Sequence, residues 1–101
     1  MSEIVVCTFR VAAEKREAFR ELLKAHWPVL RELGLALEGP HLVLESLEES
    51  TFVEIFAWRD AAAVESAHHD PKVRAVWDQM TPLCEAREGR PPMEFPHFKE
   101  I

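Results

Sequence analysis

The spacing of apolar residues changes several times along the chain. Residues 3–11, EIVVCTFRV, are rich in β-branched and aromatic side chains and predict a strand. From Ala12 the period lengthens. Phe19, Leu22, Leu23, His26, Leu30 and Leu33 fall on one helical face, and Glu14, Lys15, Arg16, Glu17, Arg20, Glu21, Lys24 and Arg31 cover the other. Gly34 stands where a helix commonly stops, in the C′ position. Pro28 lies inside the pattern and removes a backbone donor, which predicts a kink or break near Trp27.

Residues 35–47 then predict a strand, bent or bulged at Gly39-Pro40. A polar turn at 47–50 leads to a third strand, TFVEIFAWR, at 51–59. Phe52, Phe56 and Trp58 point one way, and Val53, Ile55 and Ala57 the other. Both faces are apolar, although a sheet with helices on one side needs only one apolar face. Asp60 caps a short helix at 61–69. Asp70 caps the next, with Pro71 in the favoured first position and Val73, Val76, Trp77, Met80, Leu83 and Cys84 on one stripe. Pro82 predicts a distorted or fresh turn at its end. After a loop at 88–92, MEFPHFKEI at 93–101 predicts a last strand, confined to a sheet edge by Pro96.

The order β-α-β-β-α-α-β predicts an α+β, ferredoxin-like domain spanning 1–101. Its four-stranded antiparallel sheet has order 4-1-3-2, with the helices on one face. The doubly apolar third strand predicts that a second copy covers the open sheet face, as in a dimeric α/β barrel, giving a homodimer.

Composition narrows the partners. A net charge of −6 repels phosphate backbones and anionic membrane surfaces, so neither nucleic acid nor membrane is expected. No apolar run is long enough to span a bilayer, and MSEIVV lacks a basic leader region, so a cytoplasmic protein is expected. Cys7 and Cys84 are then expected as small buried thiols without a disulfide. No Gly-rich phosphate loop or dinucleotide fingerprint is present.

The stretch FAWRDAAAVESAHHDPKVRAVWDQMTPL, 56–83, resembles the antibiotic-biosynthesis-monooxygenase-like domains of the dimeric α/β-barrel superfamily. There a strand ends in Trp, a short helix ends in Ala-His, and a Pro opens the next amphipathic helix. Here these are Trp58, Ala67-His68 and Pro71. The resemblance implies the fold outlined above and, as activity, oxygenation of an anthrone- or quinol-type substrate without a cofactor. It does not carry over whole. The anthrone-oxidising members use Asn, Trp and Tyr side chains, and this chain contains no Asn and no Tyr. The haem-degrading branch uses an Asn, a Trp and a ligating His where this chain has Thr8, Ala67 and Trp77, which disfavours haem.

Two histidines are candidate bases. His26 stands on the apolar stripe of the first helix, where a lone imidazole is more often a satisfied core residue than a catalyst. His68 follows Val64 by one turn and is expected to face inward, near Trp77 or the first helix. Its neighbours His69 and Asp70 read as a helix corner, one outward and one a cap, with no metal. Adjacent helical residues diverge by roughly 100° and cannot share an ion. Trp58, Trp77, Phe56 and Met80 are the expected walls of a substrate pocket, although most aromatic side chains in such positions are core material. His41 and His97 are expected at the surface or an interface, while Arg10 and Glu54 are left open between interface and pocket. The first functional expectation is therefore a small enzyme acting on a planar aromatic or quinol-type metabolite. The alternatives are a non-catalytic dimer that binds a small ligand, and a structural dimer whose pocket is filled by its own side chains.

Overall fold

The computed structural model describes residues 3–101. Strand β1 (Glu3–Arg10) leads through a 3-10 turn to helix α1 (Arg16–Glu32). Strands β2 (Ala36–Glu45) and β3 (Thr51–Trp58) form a hairpin, followed by helices α2 (Ala61–His69) and α3 (Pro71–Met80). Two short strands, β4 (Met93–Glu94) and β5 (His97–Phe98), end the order. The sheet runs β2-β3-β1-β4, with β5 also on β1, and every pairing is antiparallel. This is the ferredoxin-like arrangement and strand order expected from the sequence.

Local chemistry sets the element ends. Leu35 N–H donates to Leu30 C=O at 2.9 Å and Gly34 N–H to Arg31 C=O at 3.0 Å. That pair of bonds needs Gly34 left-handed, and its φ is +73°. The Asp60 carboxylate accepts from Ala63 N–H at 2.9 Å, and Asp70 accepts from Lys72 and Val73 N–H at 2.8 and 3.2 Å. Each cap satisfies donors that the first turn of a helix leaves free. Pro82 opens a separate 3-10 turn, Thr81–Leu83.

Three local expectations need correction. Helix α1 runs through Pro28 without a break. The loss is one backbone bond, and the buried stripe of Phe19, Leu23, His26 and Leu30 holds the helix on both sides of it. The last strand is two short pieces rather than one. Pro96 supplies no N–H, but its carbonyl still accepts from Val6 N–H at 3.1 Å. Ala57 is already buried within the single chain. It lies beside the register shift between Ala36 and His41, where the extra residues of β2 bulge past Phe56–Trp58.

The core lies between the sheet and the helices. Phe9, Phe19 and Phe52 form a run of rings with centroids 5.0 and 5.2 Å apart, joining β1, α1 and β3. On the opposite sheet face Val6, Val53 and Ile55 are half-buried, and Leu42, Leu44 and Phe98 are exposed. No helix of the described residues is long and apolar enough to cross a membrane.

Candidate functional site

Helix α1 brings His26 down onto β3, between Leu23 and Leu30 on its buried face. Strand β3 alternates Phe52, Glu54, Phe56 and Trp58 towards the helices, so a carboxylate stands in an otherwise aromatic row. Glu54 is completely buried. Its Oε1 lies 2.7 Å from His26 Nδ1 and its Oε2 lies 3.3 Å from His41 Nε2. A carboxylate without water costs several kcal/mol or more unless it is paired, and these two imidazoles are its partners. His41 comes from β2, stacks on Trp27 with centroids 4.2 Å apart, and is the member of the trio that reaches solvent.

On its other side His26 Nε2 accepts from Trp77 Nε1 at 2.8 Å. An indole N–H can only donate, so His26 Nε2 carries no proton in this arrangement. The proton between His26 and Glu54 therefore lies on the Nδ1 side. The chain His41–Glu54–His26–Trp77 draws its members from β2, β3, α1 and α3.

Beside this chain lies a cavity of about 240 Å³. Val5, Cys7 and Phe9 of β1 and Phe56 and Trp58 of β3 form its floor, with Val64, Trp77 and Met80 from the helices. Met93, Phe95 and His97 close one side, and His68, Arg74, Asp78 and Thr81 also line it. All six residues expected from the sequence, His26, His68, Trp58, Trp77, Phe56 and Met80, line this one cavity. His68 corrects one expectation. It meets Trp77 edge-on at 5.0 Å but remains solvent-exposed, so it sits on the rim rather than in the interior. It stands one residue beyond the fully buried Ala67, too far round α2 to follow it inward.

The remaining polar groups divide cleanly. His69 points outward and meets Glu65 at 3.0 Å, and Asp70 is a cap, as the sequence indicated. Arg10 is not in the cavity. It binds Glu94 and the Pro91 carbonyl, both at 2.8 Å, and so ties the C-terminal segment to β1. Burial, reinforced by the nearby Glu54 charge, pushes the Cys7 thiol far up, so it meets the cavity as a neutral group. Burial also pushes the Cys84 thiol up, to about 11.

Sequence reading missed the roles of Glu54 and His41 and the presence of Arg74, Asp78, Thr81 and His97 around the cavity. Glu54 carried a usable signal. Its even number in a strand whose other even positions are aromatic places it on the inward face.

No protein-family model matches the chain, and no curated protein matches it. Solved structures do. Rv0793 from Mycobacterium tuberculosis aligns over 100% of this chain and 96% of its own, at TM-score 0.79 and 19% identity. A crystallised antibiotic biosynthesis monooxygenase aligns over 98% of both chains at 0.79 and 13%. A mutant of SnoaB, a cofactor-independent oxygenase from Streptomyces nogalater, aligns over 98% of this chain and 92% of its own, at 0.77 and 16%. The chain thus has the antibiotic-biosynthesis-monooxygenase-like fold.

Proposed function

We propose that this protein is a cofactor-independent monooxygenase acting on a planar phenolic or quinol-type metabolite of one or two rings. The observation that carries the reading is the cavity, largely apolar and walled by aromatic rings, in which one imidazole is anchored on a buried carboxylate and a second stands at the rim. The size sets the ring count. A dry cavity of about 150 Å³ holds benzene, and drug-sized sites begin near 300 Å³. The chemistry needs a base and exclusion of water. The substrate gives a proton to an imidazole, and its electron-rich anion passes one electron to O2. The radical pair joins as a ring-carbon peroxide, which the imidazolium protonates; its O–O bond breaks as the same carbon gives up its hydrogen, and the released hydroxide takes that proton as water. The sum is a ring C–H, a phenolic O–H and O2 giving a new carbon–oxygen bond and water, with all four electrons supplied by the substrate. His26 or His68 is the base in this reading, and Trp58, Trp77, Phe56 and Met80 hold the ring.

The test is oxygen uptake with 1,4-naphthohydroquinone, followed to hydroxynaphthoquinone and water. Uptake above the uncatalysed rate, lost in His26→Ala or His68→Ala protein that remains folded, is the expected result. Uptake at the uncatalysed rate, with the quinol still bound, would establish a ligand-binding protein instead. That second reading has its own support, because Trp77 already occupies the His26 lone pair.

The protein acts as a homodimer paired through its open sheet face in the same reading. Leu42, Leu44 and Phe98 are each about half exposed there, beside Val53 and Ile55. Burying such surface is worth on the order of 25 cal/mol per Å².

A further inference from the structure

We infer that Glu54 is the positioning residue of His26, and that the bond from Trp77 to His26 is the place where a phenolic hydroxyl is recognised. The inference rests on the proposed substrate class but not on turnover. The carboxylate holds the Nδ1 side of the ring at 2.7 Å, which leaves the Nε2 lone pair as the side open to exchange. Trp77 fills that side with its only donor at 2.8 Å, and both rings line the cavity. A ligand O–H offers the same donor to the same lone pair, so it can replace the indole bond one for one. An ether or a ketone of the same shape offers no donor and cannot. His41 completes the arrangement from the far side. Its Nε2 takes the second oxygen of Glu54 at 3.3 Å, which stops the carboxylate from turning away from His26. His41 is not among the cavity residues, so it acts only through Glu54.

The ligand's proton then has a defined path. It leaves the hydroxyl oxygen for His26 Nε2. The imidazolium so formed keeps its Nδ1–H on Glu54, whose negative charge offsets it. Neither Glu54 nor His41 touches the ligand in this scheme.

The test is nitrogen-15 NMR of histidine-labelled protein at neutral pH without oxygen, first alone and then with 1-naphthol or its methyl ether as probes. The wild-type protein should show His26 in one tautomer, protonated at Nδ1. With 1-naphthol the His26 Nε2 and Trp77 indole N–H signals should move together, and with the methyl ether they should not. Glu54→Gln removes the charge but keeps an oxygen that accepts from Nδ1–H, so the tautomer and the Trp77 bond should persist. Glu54→Leu removes the acceptor and should let the Nε2–H form appear and release the Trp77 signal, because an Nε2–H cannot accept from an indole. If quinol turnover exists, Glu54→Gln should lower kcat by about 100-fold and leave KM within about twofold. A wild-type His26 protonated at Nε2 would overturn the inference, whether or not the variant folds. So would a bound 1-naphthol that leaves both signals unmoved, or no binding of it at all. An absence of quinol oxidation alongside the expected NMR signature would sink the oxygenase reading and leave this one standing.

Discussion

The two faces of β3 carry similar side chains and meet different surroundings. Towards the helices, Phe52, Glu54, Phe56 and Trp58 are all buried within one chain. Away from them, Val53 and Ile55 stay half-exposed beside Leu42 and Leu44. The covered face uses large rings and leaves space between them, and it tolerates one carboxylate because two histidines reach it. The open face uses aliphatic side chains at its centre, and its polar members, Thr8, Thr51 and the Arg10–Glu94 pair, gather at one end. Hydrophobicity alone therefore does not tell the cavity side of this sheet from the open side. The polar residue among the rings does.

Substitutions on the two faces should separate these roles. Phe56→Ala removes a ring that contacts both His26 and Trp58, at 5.8 and 5.0 Å, and should cost about 3–5 kcal/mol in urea unfolding. A loss under 1 kcal/mol would mean that the covered face is far looser than its burial indicates. Ile55→Glu, one residue away, should halve the sedimenting mass at micromolar concentration. It should change the stability of the separated monomer by only about 0.5 kcal/mol. Wild-type protein that sediments as a monomer would remove the contrast altogether.

Smaller changes probe the corners that hold the helices over the cavity. Asp70→Ala should cost about 1 kcal/mol by freeing the Lys72 and Val73 N–H groups, without altering sedimentation. The smallest effect is expected at Asp60, whose carboxyl titrates below its ordinary 3.8 because it accepts from Ala63 N–H and, next, from Arg59. A lowered folded value means that this contribution is complete above about pH 4 and is lost as the pH falls through the folded value. Asp60→Asn keeps a cap oxygen without the charge, so its melting temperature should fall less steeply than that of the wild type on the acid side.

Much of the fold was legible because its signals are local. The caps at Asp60 and Asp70, the stop at Gly34 and the alternation in β3 each depend on residues a few positions apart. The break expected at Pro28 failed because tertiary burial along α1 outweighs one missing bond. The cavity walls were legible for a similar reason, since Trp77 and Met80 share a stripe and Phe56 and Trp58 share a strand face. The hydrogen-bond chain was not. His26 and Glu54 lie 28 residues apart and Trp77 and His26 lie 51 apart, and no local pattern joins them. His68 illustrates the remaining limit. Helical phase placed it near Trp77, but one position of rotation separates a rim from an interior.

The segment that follows α3 has a consequence for how copies of this protein meet. Arg10 N–H donates to Pro92 C=O at 2.8 Å and Val6 N–H to Pro96 C=O, so two outward donors of β1 end on prolines. A proline takes such a bond but has no N–H to return to β1. The missing N–H groups face β1, so the margin strand is held by fewer bonds at these two points and falls into the two-residue pieces β4 and β5. Edge strands that short give another molecule little to pair with, which lowers the hazard of fibrous aggregation at high concentration.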